Sequence, residues 1–162
     1  MRKLNVHNLR KSLDQLCEKL SSFYINYGGC CYLSYLIAYH LDKLDIKYKL
    51  IIFSYSKKEL KEIITEITDK RRGPSKKASV IKSGTCNHYS IFLEGGGMLN
   101  AGYFKENCKR YFIKNVTSSD IKWIYRMGYW NSVYNTSNNK RIRKILNTFF
   151  NNYEEKKDLS NY

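Results

Sequence analysis

The chain has 162 residues, 43% of them apolar and 15% aromatic, which is enough to bury the core of one domain. That composition excludes a disordered tail or a fibrous repeat, and no run approaches the roughly 18 apolar residues that a membrane span requires. Twenty-nine Lys and Arg stand against fourteen Asp and Glu, a net charge of +15 that favours an acidic protein, a nucleic acid or an anionic surface as partner.

The N-terminal residues Met1 to His7 carry charge with no apolar stretch behind them. No secretory signal is therefore expected, and the expected location is a reducing cytoplasm. Five cysteines, an odd number, argue against a disulfide framework there. The abundance of Lys, Asn, Ile, Tyr and Phe, with a single proline, fits an AT-rich bacterial or viral genome.

Leu9, Leu13, Leu16, Leu20 and Phe23 recur at helical spacing, predicting a first helix that ends near Tyr27, with Cys17 buried beside the stripe. Gly28-Gly29 breaks the chain before a more apolar, more buried helix from about Cys31 to Leu44. A strand is expected over Tyr48 to Tyr55, and its run Leu50-Ile51-Ile52-Phe53 suits cover on both faces. Ser56-Lys57-Lys58-Glu59 reads as a capping box opening a helix through Ile67, which Gly73-Pro74 stops. Strands follow at Ser79 to Lys82, Asn87 to Leu93 and Met98 to Phe104, the last two joined by the hairpin Gly95-Gly96-Gly97. Another is expected over Tyr111 to Val116. Ser118-Ser119-Asp120 caps a short helix through Ile124, and a final amphipathic helix carries Ile142, Ile145, Leu146, Phe149 and Tyr153. The expected class is α+β in a single domain over 1–162, with a core at about 20–116 and a helical extension at about 117–162.

The chemistry-bearing segment is Tyr27-Gly28-Gly29-Cys30-Cys31-Tyr32-Leu33. A cysteine in the first turn of a buried helix meets unpaired backbone N–H groups and the positive end of the macrodipole, and both stabilise a thiolate. The same N–H groups can receive the oxyanion of an attacked carbonyl, and the glycines leave the sulfur uncovered. A base must come from three histidines. His7 is terminal, and His40, nine residues past Cys31 at about 3.6 residues per turn, falls on the opposite side of the helix as a core or interface residue. His88 remains. Asn100 lies on the next strand, and an odd-numbered hairpin loop would give His88 and Asn100 the same sheet face, where the amide oxygen can orient the imidazole.

A Gly-Gly-x-Cys at a helix start, then a His on a strand, then Asn or Asp on the following antiparallel strand resembles the papain-like fold. The likeness is to its transglutaminase-like branch, which includes the arylamine N-acetyltransferases, and it covers roughly residues 20–105. The segment Met98-Leu99-Asn100-Ala101-Gly102-Tyr103-Phe104 is similar to the acetyltransferase stretch of Asp, small residue, glycine and aromatic. The resemblance implies Cys31 as nucleophile, His88 as base and Asn100 as third member, with Gly28, Gly29 and Asn26 supporting the turn and oxyanion. It implies a protein or peptide substrate and, since such proteins are common in phage genomes, a phage-encoded chain in host cytoplasm or virion. The acetyltransferases have an Arg before the glycines and a Glu two residues past the cysteine, where Tyr27 and Leu33 stand here, so no coenzyme A or other cofactor is expected. Zinc is not expected either, because Cys30-Cys31 and Cys86-x-His88 lack the spacings of structural sites.

Two function classes stay open. One is a cysteine peptidase, amidase or transglutaminase-like acyltransferase. The other is a non-catalytic scaffold of the same fold that binds an acidic protein or nucleic acid. The cations Lys70, Arg71, Arg72, Lys76 and Lys77 precede the His88 strand and are expected to form a loop bordering the cleft that draws in an anionic partner.

Overall fold

The computed structural model describes residues 5–20, 30–54, 86–99, 109–127 and 136–159. Helix α1 (Val6–Leu20) is capped by Asn5, whose Oδ1 accepts the Asn8 N–H at 3.1 Å, and it buries Leu9, Leu13, Cys17 and Leu20. Helix α2 (Cys30–Lys43) is buried at every position from Cys30 to Ala38, so it lies inside the domain rather than on its surface. It ends in a Schellman motif. The Ile46 N–H bonds the Leu41 carbonyl at 2.9 Å and the Asp45 N–H the Asp42 carbonyl at 3.2 Å, with Asp45 at φ 52°.

Strand β1 (Tyr48–Ser54) follows, then β2 (Cys86–Leu93), β3 (Gly97–Met98) and β4 (Lys109–Ile113). They form one antiparallel sheet in the order β3-β2-β1-β4. Leu50, Ile51, Ile52 and Phe53 are all buried, as their unbroken apolar run predicts for the central strand β1. The β2–β3 hairpin turns through Glu94, Gly95 and Gly96. The Gly96 N–H closes the turn on the Leu93 carbonyl, and Gly95 takes φ 81°, which an L side chain rarely adopts. Gly96 has a different reason: a Cβ there would sit 2.9 Å from Val6 Cγ1 and from the Val6 carbonyl, because α1 starts against this hairpin. Strand β4 begins two residues earlier than its apolar pattern suggests and stops at Ile113, short of Asn115, whose φ of 55° turns the chain out of the sheet.

Thr117 is the N-cap of α3 (Ser118–Met127), one residue before the expected cap. Its Oγ1 accepts the Asp120 N–H at 3.3 Å, while Asp120 Oδ2 accepts the Thr117 N–H at 2.9 Å, a capping box closed by Asp in place of Glu. The Ser118 N–H is satisfied across the fold by Asp42 Oδ2 at 2.9 Å, and Asp42 also accepts the Tyr48 hydroxyl at 2.8 Å. That carboxylate ties α2, β1 and α3 together. In α4 (Thr136–Leu159) the buried seam is Ile142, Leu146 and Phe150, with Ile145, Phe149 and Tyr153 half-buried on its flank. Helices α3 and α4 pack on α2, and α2 packs on the sheet.

The described elements are an α+β arrangement of antiparallel sheet and helices. Among the described residues no helix is long and apolar enough to cross a membrane. The expected helix through Ile67, the strand at Ser79 to Lys82 and the cationic residues Lys70, Arg71, Arg72, Lys76 and Lys77 lie outside the described residues.

Candidate active site

Cys30 and Cys31 occupy the first turn of α2, where the sequence expects a thiol beside unpaired N–H groups. The described geometry gives this environment to Cys30. Burial pushes the Cys30 thiol up from its ordinary value, while the backbone N–H groups of Tyr89, Cys31 and Cys30 act in the opposite direction by favouring the thiolate. The Tyr89 contact seats the start of α2 on β2, one residue from His88. Neither the adjacency of the two cysteines nor their flanking glycines distinguishes Cys30 from Cys31, so Cys30 was not legible as the thiol that meets β2. Cys31 itself is fully buried, inside the core cluster formed by α1, α2 and the sheet.

The alternation along β2 settles which face each side chain takes. Tyr89, Ile91 and Leu93 pair with Ile52, Leu50 and Tyr48 and join the same core cluster as α2. His88 pairs with Phe53 on the reverse face, where the two rings lie 5.5 Å apart, centroid to centroid, at 39°. The backbones of α2 and β2 are therefore brought together at the expected place, and the half-buried His88 side chain is set on the other side of the sheet from the Cys31 core. A bulge precedes it: His88 pairs with Phe53 and Cys86 with Ser54, leaving Asn87 as the extra residue.

The hairpin has the odd three-residue loop that the parity of His88 and Asn100 needs, and Phe92 pairs with Met98, even with even. The pairing runs one step further, for the Leu99 N–H bonds the Ile91 carbonyl at 2.9 Å and Ser90 Oγ donates to the Leu99 carbonyl at 2.7 Å. Asn100, Gly28, Gly29 and Asn26 lie outside the described residues.

His40 is the core histidine that the helical spacing predicts. It is buried and stacks on Phe150 at 4.4 Å and 8°, and burial, followed by the nearby Lys43 charge, holds its imidazole below the ordinary value. Cys17 is buried too, and desolvation, aided by the Asp14 charge, pushes its thiol up to about 12. Among the described residues no group of three His, Cys, Asp or Glu side chains is arranged to hold a metal. No family model matches this chain, and no curated protein or solved structure matches it significantly.

Proposed function

We propose that the protein is a cysteine-dependent acyl-transfer or hydrolytic enzyme with the papain-like, transglutaminase-like arrangement, acting on a protein or peptide amide. The supporting observation is the seating of the Cys30-Cys31 helix start on β2 at Tyr89, next to His88. In this reading the Cys31 sulfur gives its proton to His88 and attacks the amide carbonyl carbon. The oxyanion is held by N–H groups of the first turn of α2, and His88 passes the proton to the departing amine, leaving a thioester. Water or a second amine then attacks the thioester, loses its proton to His88 and releases the Cys31 sulfur, which regains that proton. Asn100 orients the imidazole. The reaction requires the β2 backbone to shift register at the Asn87 bulge, carrying His88 from the Phe53 face to the α2 face.

A second reading has its own observation. Full burial of Cys31 and the reverse-face setting of His88 favour a scaffold of this arrangement that binds an acidic partner through its +15 charge without turnover. The two readings separate on acyl-enzyme formation. An enzyme exposed to p-nitrophenyl acetate gains one acetyl group on Cys31, and both Cys31→Ala and His88→Ala abolish that adduct. Acetylation of lysines alone, unchanged in these variants, refutes the catalytic reading and leaves the scaffold.

A further inference from the structure

Helices α2, α3 and α4 enclose a concavity of about 490 Å³, within the span of about 300–1,000 Å³ typical of small-molecule sites. It opens beside His40, nine residues or about 14 Å along α2 from Cys31, so it is a separate site and stands whether or not Cys31 is a nucleophile. Its charge is one-sided: Lys43, Lys122 and Arg143 line it against the single carboxylate of Glu154.

The three cations are held at the cleft by aromatic rings. Lys43 Nζ lies 4.5 Å from the Tyr39 ring centroid, and Lys122 Nζ lies 5.7 Å from that of Tyr35. Arg143 Nε donates to the Tyr32 hydroxyl at 2.8 Å, with the guanidinium 5.8 Å from the same ring. An anion entering here meets positioned charges rather than freely moving side chains, which lowers the ordering cost of binding. The walls between the cations are Tyr35, Tyr39 and His40. His40 is buried and stacked on Phe150, and burial and Lys43 disfavour its charged form, so it backs the wall without adding a cation. Asn147, Asn151 and Glu154 add acceptors at the rim. A bare anion would use the cations and leave the ringed wall empty, whereas an uncharged aromatic would leave the cations unanswered.

We propose that this cleft binds a nucleotide, with its phosphate against Lys43, Lys122 and Arg143 and its base on the tyrosine-lined wall. The chemistry fits both halves of such a ligand: cations take the phosphate, and aromatic faces take any base. The acceptors of Glu154 and the two asparagines suit the exocyclic amino group of adenine, which makes AMP the probe.

Calorimetric titration of the full chain with AMP, adenosine, ribose 5-phosphate and inorganic phosphate tests the assignment. AMP is expected to bind at least about tenfold tighter than each fragment, since each forfeits either the charged or the stacked contacts. The double variant Lys43→Gln, Lys122→Gln should weaken AMP by about tenfold and leave adenosine unchanged. The control Lys11→Gln, Lys47→Gln makes the same charge change at exposed positions elsewhere and should leave AMP within about twofold. Tyr39, already 41% exposed, can be truncated without loss of core. Tyr39→Ala should weaken AMP at least about fivefold and ribose 5-phosphate by clearly less, since the latter loses only the ring that holds Lys43. Equal affinity for AMP and adenosine, an equal loss in the control, or no saturable AMP binding at millimolar concentration overturns the proposal.

Discussion

Replacing Phe150 by Ala removes the last anchor of the buried seam on α4. The ring is 1% exposed, stacks on His40 at 4.4 Å and meets Phe149 edge-on at 5.2 Å. Leu146 and Ile142, buried one and two turns away on the same seam, oppose collapse of α4 onto the vacated space. Truncation of a buried Phe costs about 3–5 kcal/mol when the surroundings relax only partly. Against a domain stability of about 5–15 kcal/mol, that is a large share. Urea unfolding followed by circular dichroism should show the midpoint fall with the slope preserved. A His40–Phe150 double-mutant cycle should return a coupling of about 0.5–1.5 kcal/mol for the stacked pair. A Phe150→Ala loss below about 1 kcal/mol would refute the packing of α4 on α2 and, with it, the cleft between them.

The depressed His40 imidazole makes stability fall with acid. The folded state resists the proton that the unfolded chain accepts at about pH 6.5, so the contribution is complete above that value and is lost as pH drops below it, through the folded-state value. His40→Gln should flatten the stability profile between about pH 6.5 and 5, and a slope equal to that of the wild type would contradict the assignment. Asp45→Gly should stabilise by about 0.5–1 kcal/mol, since Asp45 pays for a left-handed φ that glycine adopts freely and its exposed ion pair with Lys47 returns little; a destabilised variant in thermal melts would count against the Schellman geometry. Gly96→Ala should destabilise by about 1–3 kcal/mol by driving a methyl into Val6, and urea titration reads it; a neutral result would mean that α1 does not start against the hairpin.

Periodicity made most of the elements legible. The leucines of α1 and the apolar run of β1 have simple patterns, and the structure follows them. Phe150 was missed because the sequence stripe through Ile145, Phe149 and Tyr153 is as apolar as the true seam, and only the position of α2 chooses between the two flanks. Thr117 took the cap because its hydroxyl lies three residues before the Asp120 carboxylate, whereas Ser118 and Ser119 are followed at that spacing by Ile121 and Lys122. For the candidate site, local sequence correctly put two cysteines at the start of a buried helix and a histidine on a strand. It could not say which sheet face meets that helix. Parity relates His88 to Asn100, but the face is set by the long-range pairing of β1 with β2, where Ile52 opposes Tyr89.

The proposal of thiol chemistry rests on Cys31 differing from the chain's other cysteines. Burial pushes the Cys17 thiol up to about 12 and raises that of Cys30. Cys31 is as fully buried as either, so labelling of Cys31 ahead of them requires the opening toward His88 that the proposed reaction supposes. Iodoacetamide labelling of the native chain at pH 6.5, with each site quantified by mass mapping in wild type and His88→Ala, measures the difference directly. Cys31 should be labelled well ahead of Cys17, Cys30 and Cys108, and His88→Ala should remove this lead. Cys31 labelled no faster than Cys108, or labelled equally fast without His88, would contradict the proposed thiol chemistry.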